Sequence, residues 1–428
     1  MAEISPFQGI RFNKSKVGDL AQVICPPYDV ISPEEQKAYH ERSEYNIIRM
    51  EAGLEYEDDT PVSNRYTRAR DIMDQWLKDG VFDIDTAETY YIYEQCFTYR
   101  DTRKRRMALI AFVMLEPWEN KVILPHERTA MGVKTERLEL MRTCRADISP
   151  IFGLYDDPGN RVGKFMQPKM LPSKQLVDIT LGDETHKVWK ANEPEFVQRV
   201  SHFMSPKPIY IADGHHRYET ALAYRDERRQ MSPSHSNYDA FNFVMMALVP
   251  FTDPGLIMLP IHRLVKGISS DVLAGLPERL AEYFDITESP LDKMEMDESK
   301  VTAIRIVGLK EGVVLNLRVK RDISLKDLMP GHSSAYQRLD VSAVETIIME
   351  KLLDSPFQRG DVMYSADIKE SLGLVNKGQY QFAVLVSPMP VAAIKSIADA
   401  QDRMPRKSTY FHPKLPTGLV LGRLDGKL

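Results

Sequence analysis

The chain has 428 residues, 43% hydrophobic and 27% charged, with a formal net charge of -5. That is ordinary globular usage at a length too great for one compact core, and it excludes a disordered or fibrous protein. So small a negative charge creates no general field for nucleic acid or an anionic membrane, so any anion site has to be local.

From the N-terminus, "MAEISPFQGIRFNKSK" lacks the apolar core and small-residue cleavage site of a secretory signal, so a cytoplasmic location is expected. "VICPPYDVIS" is a proline-stiffened turn presenting Tyr28 and Asp29, either as a structural corner or as a substrate loop. Ser32 and Glu35 then spell a capping box around Pro33, and apolar spacing predicts a helix over Ser63 to Lys78. "TYYIYEQCFTY" and "MALIAFVML" read as a hairpin, with Arg100, Arg103, Lys104, Arg105 and Arg106 as a solvated tip. After "KVILPHERTA" come a helix over Lys134 to Arg142, the strand "ISPIFGLY", the pair "QLVDITL" and "HKVWKA", and a helix in "EPEFVQRVSHFM". "AFNFVMMALVPF" and "GLIMLPIHRLV" are expected as central strands. Strands and helices alternate from Lys266 onward, and the tail "RMPRKSTYFHPKLPTGLVLGRL" reads as a shaped loop before a last strand. The expected class is α+β, divided into an N-terminal α+β region over 1–120, a mixed α/β core over 121–265 and a C-terminal α+β region over 266–428. The apolar runs fall short of the roughly 20 residues that cross a bilayer, and the three cysteines contain no C-x-x-C pair to suggest a zinc or disulfide framework.

The chemistry concentrates in "PIYIADGHHRYETALAYRDER", where an apolar strand meets a helix through Asp213, Gly214, His215, His216 and Arg217. A helix start offers unpaired N–H groups and the positive end of its dipole, so it accepts an anion. Gly214 allows close approach, Arg217 brings a fork of donors, and the two histidines titrate near neutrality. Asp213 can cap the helix, orient a histidine or hold a divalent cation beside phosphate. A plain helix cap with packed histidines is the structural alternative. Neither G-x-x-x-x-G-K-[ST] nor G-x-G-x-x-G occurs, so a Walker or Rossmann site has no support. Of the neighbours in "PIHRLV", only one can face a site, and Arg263 is the better anion contact. Lys407, Ser408, Thr409, Tyr410 and Lys414 form a basic loop suited either to a phosphorylated ligand or to solvent.

"DGHHR" between strand and helix, with "LPHE" upstream, resembles the ParB/sulfiredoxin superfamily and its branch of free-serine kinases. Across nearly the whole chain, "PFQGIR", "PPYDVIS", "LPHERT", "ADGHHRYETAL", "LPIHRLV" and "KSTYFHPKLPTGLVL" resemble domain-of-unknown-function family one thousand and fifteen. The superfamily resemblance implies a ParB/sulfiredoxin-like core in which Gly214, His215, His216 and Arg217 cradle the phosphates of a nucleotide, ATP or ADP. It also implies Glu127 as general base, with His215 and His216 beside it in the chemistry. Mg²⁺ is expected from phosphoryl-transfer chemistry, with Asp213 as its candidate contact. The implied activity is a kinase acting on the hydroxyl of a small metabolite, a free amino acid such as serine among the candidates. Tyr28, Asp29, Arg263, Lys407 and Lys414 are expected as secondary substrate contacts. The rival is a nucleotide-hydrolysing switch acting on a protein or nucleic-acid partner. The arginine-rich turn and helix-turn-helix of the DNA-partition members are not matched, so nucleic acid is not expected. Sulfiredoxin chemistry lacks its cysteine here. No membrane partner is expected, and a homo-oligomer is left open.

Overall fold

Arg100 and Asp101 both adopt left-handed backbone, at φ 49° and 58°, and so close a two-residue turn whose twist suits an antiparallel pair. Tyr90–Tyr99 and Thr102–Met114 consequently pair from Tyr99 with Thr102 as far as Tyr91 with Ile110. The basic residues expected at a loop tip are therefore in a strand. Alternation leaves Arg103 and Arg105 exposed, but it turns Arg106 inward and buries it, which corrects the solvated reading of that residue.

In this computed structural model, which describes residues 2–129, 131–232, 234–296, 304–353, 357 and 360–428, the hairpin lies inside a nine-stranded mixed sheet. Its strands run in the order Ile123–Leu124, Ile209–Asp213, Ile151–Tyr155, Phe243–Pro250, Thr102–Met114, Tyr90–Tyr99, Glu184–Ala191 and Gln175–Leu181, with Ile4–Ser5 also on Thr102–Met114. Ile209–Asp213 is parallel to Ile123–Leu124, and Phe243–Pro250 is parallel to Ile151–Tyr155. Every residue of Phe243–Pro250 is buried, as an unbroken apolar strand inside a covered sheet should be. The helix His215–Met231 packs on the helix Met131–Cys144 and buries Tyr218, Ala221 and Tyr224. A four-stranded sheet joins Phe82–Ile84, Gly9–Phe12, Leu421–Arg423 and Ala146–Asp147, so the last strand of the tail pairs with the beginning of the chain. Both arms of the Ser32–Glu35 capping box form, and Asn64 caps Arg65–Lys78.

The architecture is mixed α/β and divides into two compact units. The first comprises Met1–Pro125, Thr129–Leu256 and Pro413–Leu428 and holds everything described so far. The second comprises His126–Arg128 and Ile257–His412. It is built on an antiparallel sheet ordered Phe284–Pro290, Val313–Val319, Ile304–Val307, Phe382–Leu385, His262–Val265 and Val362–Ser365. "GLIMLPIHRLV" is not one central strand. It is interrupted at Pro260, which has no N–H for a ladder, so Ile257–Leu259 pairs with Tyr410–His412 while His262–Val265 enters the six-stranded sheet. Among the described residues, no helix is long and apolar enough to cross a membrane.

Candidate functional site

The D-G-H-H-R turn is shaped by two backbone irregularities. Between Ile211 and Asp213 the pairing with Gly153 and Phe152 slips register, which turns Asp213 out of the regular alternation. Gly214 then takes φ 96°, a left-handed conformation that disfavours a side chain. A Cβ at Gly214 would stand 3.0 Å from Arg217 Nε and 3.1 Å from Nη2, so glycine is needed for room as well as for angle. The helical ladder opens with Tyr218 N donating to Gly214 O at 3.0 Å, so residues 215–217 form the first turn, at the positive end of the helix dipole. Gly214, not Asp213, is the N-cap, and no side chain caps it.

The carboxylate of Asp213 is engaged elsewhere. Its Oδ2 accepts from Arg217 Nη2 at 2.8 Å and its Oδ1 from Lys414 Nζ at 2.7 Å. Burial opposes ionisation of Asp213, but Lys414 and Arg217, with His215 adding to them, outweigh it and hold the carboxyl well below the usual range. Arg217 Nη1 donates to Pro150 O at 2.6 Å and Ser149 Oγ at 3.3 Å. Three of its five N–H donors are thereby engaged, and those left are on Nε and Nη2, the edge that the missing Cβ of Gly214 keeps open. Burial works against the charged guanidinium, while Asp213, Asp29, Tyr28 and Glu51 favour it and raise its affinity for the proton. Lys414 Nζ also lies 3.7 Å from Asp29 Oδ2. The side chains of Arg217 and Lys414 are only 12% and 10% exposed, so both cations are held rather than waving in solvent.

Glu51 holds the Tyr28–Val30 turn. Its Oε1 accepts from Tyr28 N at 3.1 Å, and Arg137 stacks 3.6 Å from the centre of the Tyr28 ring while donating to Glu51 O at 2.8 Å. Burial pushes the Tyr28 hydroxyl up to about 12 and raises Glu51, against the pull of Arg137 and Arg217 on both. Behind Arg217 lies a cavity of about 40 Å³ bordered by Glu51, Arg137, Asp147, Ser149, Arg217 and Thr220. Burial pushes Asp147 up to about 7, although Met245 N donates to it at 2.8 Å and Arg217 attracts it. Lys414 is fixed from below: buried Arg106 Nη2 donates to Pro413 O at 2.6 Å and to Gln95 Oε1, and Gln95 Nε2 donates to Lys414 O at 3.3 Å.

Tyr28, Asp29, Asp213, Gly214, His215, His216, Arg217 and Lys414 thus belong to the first unit, with His215 buried and His216 half-buried. Glu127, Arg263 and Lys407 belong to the second. There the Glu127 carboxylate accepts from Lys407 N and Ser408 N, and Arg263 is fully buried with Nη1 donating to Ile261 O. Both oxygens of Asp213 are occupied by cationic donors, and among the described residues no three His, Cys, Asp or Glu side chains converge. A divalent cation at Asp213 would have to share these oxygens with Arg217 and Lys414. Glu51, Arg137, Asp147, Gln95 and Arg106 were not singled out from the sequence as site residues. No spacing rule ties an acid in "IIRMEAG" or "RADIS" to a turn more than sixty residues away.

A family described as protein of unknown function (DUF1015) matches residues 4–342. No curated protein matches the sequence. Among solved structures, a mutant free serine kinase in complex with AMP is similar at 11% identity and a TM-score of 0.38, over 72% of this chain and 92% of its own. A conserved hypothetical protein from Pyrococcus furiosus gives 11% identity and a TM-score of 0.38, over 74% and 95%. C-terminally truncated SbnI from Staphylococcus aureus gives 10% and 0.34, over 74% and 87%.

Proposed function

The chain belongs to the DUF1015 family, and for this member we propose a phosphotransferase. The turn Asp213–Arg217, with Lys414, takes the phosphates of a nucleotide, ATP or ADP, and one phosphoryl group passes to the hydroxyl of a small metabolite. One observation carries the reading: the donors of Arg217 still open, on Nε and Nη2, border the space left by Gly214 at the head of a 17-residue helix. Amides, dipole and guanidinium at one point favour a phosphate group. Asp29 and Asp213 balance Lys414 and Arg217 in charge, so a singly charged anion gains little there. An anion with several oxygens gains through many directed hydrogen bonds.

In the transfer, the acceptor oxygen attacks the terminal phosphorus and a new P–O bond forms. The bridging P–O bond breaks with its electron pair leaving on the nucleotide, and the hydroxyl proton passes to a carboxylate. The motif resemblance gives that proton to Glu127. Magnesium enters as part of the nucleotide substrate, and the chain's contribution is to bind and orient.

Calorimetric titration with pyrophosphate and with magnesium–ATP tests the site. Arg217→Ala and Lys414→Ala are each expected to weaken binding at least tenfold, the loss of a charge-assisted hydrogen bond worth about 1.5–3 kcal/mol. Phosphorus NMR over a panel of small alcohols and amino acids should then reveal a phosphorylated product. Release of free phosphate alone would favour the hydrolysing switch, and undiminished affinity in Arg217→Ala would overturn the site.

A further inference from the structure

The second unit contains a different anion-binding arrangement, built from none of the residues of the D-G-H-H-R turn. Lys407 adopts left-handed backbone at φ 58°, and Lys407 N and Ser408 N converge on the Glu127 carboxylate at 3.0 and 3.3 Å. Thr409 Oγ1 donates to the same carboxylate at 3.4 Å and lies 3.1 Å from His126 Nε2. Successive amides brought together by a left-handed residue form a nest, a concavity that accepts carboxylate and phosphate oxygens alike.

A second observation concerns a buried cation that feels the Glu127 charge. Arg263 is wholly buried; its Nη1 donates to Ile261 O, while Nε and Nη2 have no hydrogen-bond partner among the described residues. Burial disfavours its charge, and the carboxylates of Glu345 and Glu127 supply the opposing attraction. A buried guanidinium short of acceptors on two nitrogens is expensive to maintain. Arg406 and Glu127 act on Tyr364 in opposite senses, and Arg128 and Arg263 counter Glu350 at Glu345, so Arg263, Arg406 and Arg128 offset the three carboxylates there. A tetrahedral oxyanion supplies more acceptor oxygens than one carboxylate, and Glu127 is only half-buried, so it can swing toward solvent.

We propose that the nest at Lys407, Ser408 and Thr409 is a binding site for a phosphate or phosphoryl group, and that the side chain of Glu127 occupies it until that oxyanion displaces the carboxylate. The displaced Glu127 is then an ionised carboxylate with its acceptor oxygens released, the form that a proton acceptor requires.

The test uses the full chain carrying Arg217→Ala, which silences the other turn, titrated calorimetrically with inorganic phosphate and with glycerol 3-phosphate. Glu127→Ala removes an intramolecular competitor and is expected to raise affinity at least tenfold. Lys407→Pro lacks the N–H and cannot adopt the left-handed angle, so it should abolish the gain; Lys407→Gly should keep it. A gain for phosphate but not the ester would identify a free-phosphate site, and the reverse a phosphorylated ligand. No gain in Glu127→Ala with native circular dichroism, or a gain that survives Lys407→Pro, overturns the proposal. Should Glu127→Ala fail to fold, Glu127→Gln decides: its amide nitrogen faces a backbone N–H donor to donor, so it should vacate the nest and show the same gain, and the lack of one is equally fatal.

Discussion

Replacing Asp147 by asparagine should stabilise the first unit at alkaline pH and do little in acid. Asp147 is buried behind Arg217 with one backbone donor, Met245 N at 2.8 Å, and burial moves its carboxyl from an ordinary 3.8 up to about 7. The unfolded chain releases this proton near 3.8, whereas the folded chain keeps it until about 7. Stability contributed by the protonated group is therefore full below 3.8, declines as pH rises through the interval, and is lost above 7. At about 1.4 kcal/mol per pH unit, that interval amounts to about 4 kcal/mol. Asparagine resembles the protonated acid in shape and hydrogen bonding but never ionises. Its advantage over wild type should thus grow by about 4 kcal/mol between pH 4 and pH 8. Urea unfolding at the two pH values, followed by tryptophan fluorescence, is the assay. Trp76, Trp118 and Trp189 all lie in the first unit, so the signal reports on the unit that contains Asp147. An advantage equal at both pH values, or a variant less stable than wild type at pH 8, would refute burial as the origin of the shift.

Gly214→Ala should lower stability by about 1–2 kcal/mol through the left-handed angle. It should also weaken pyrophosphate binding about tenfold, because the methyl group would press on Arg217 Nε and Nη2; thermal melting and calorimetry separate the two effects. Gln95→Leu keeps the volume but removes one acceptor of Arg106 and the donor to Lys414 O. A loss of about 1–3 kcal/mol follows from the buried hydrogen bond removed, with a severalfold weaker pyrophosphate affinity as Lys414 loosens; unchanged affinity would show that Lys414 needs no such support.

What the sequence reveals about this fold is what lies within a few residues. The Ser32–Glu35 box, the Asn64-capped helix, the Gln175–Leu181 and Glu184–Ala191 pair and the strand-to-helix passage at Gly214 are each legible, because every partner sits nearby in the chain. The misreading of Arg106 has the opposite origin. "RD" is not a usual two-residue turn, so the sequence suggests a longer tip, and one of the groups that receive the buried guanidinium, Pro413 O, is 307 residues away. Lys414 could be read as a basic loop residue, but its partner Asp213 emerges only when the tail strand Leu421–Arg423 pairs with Gly9–Phe12 and fastens the tail to the first unit. Glu51 and Asp147 are invisible for the same reason. Each lies in or beside a short element whose surroundings come from distant pairing, and an acid in an apolar sequence looks alike whether it faces water or a cavity.

An acid at the mouth of an anion site need not oppose the anion. Without Asp213, the buried cations Arg217 and Lys414 would lose the one carboxylate that both of them hydrogen-bond; with it, the trio is held at 2.8 and 2.7 Å. Arginine has five donors, so the shared carboxylate fixes both cations while Arg217 keeps N–H groups on Nε and Nη2 for a ligand. The spacing inside D-G-H-H-R accomplishes both tasks. Four positions separate Asp213 from Arg217, which brings the guanidinium back beneath the carboxylate, and the residue next to that carboxylate is the one that has no side chain to cover the remaining donors. The carboxylate assembles the clamp, and the glycine keeps it open.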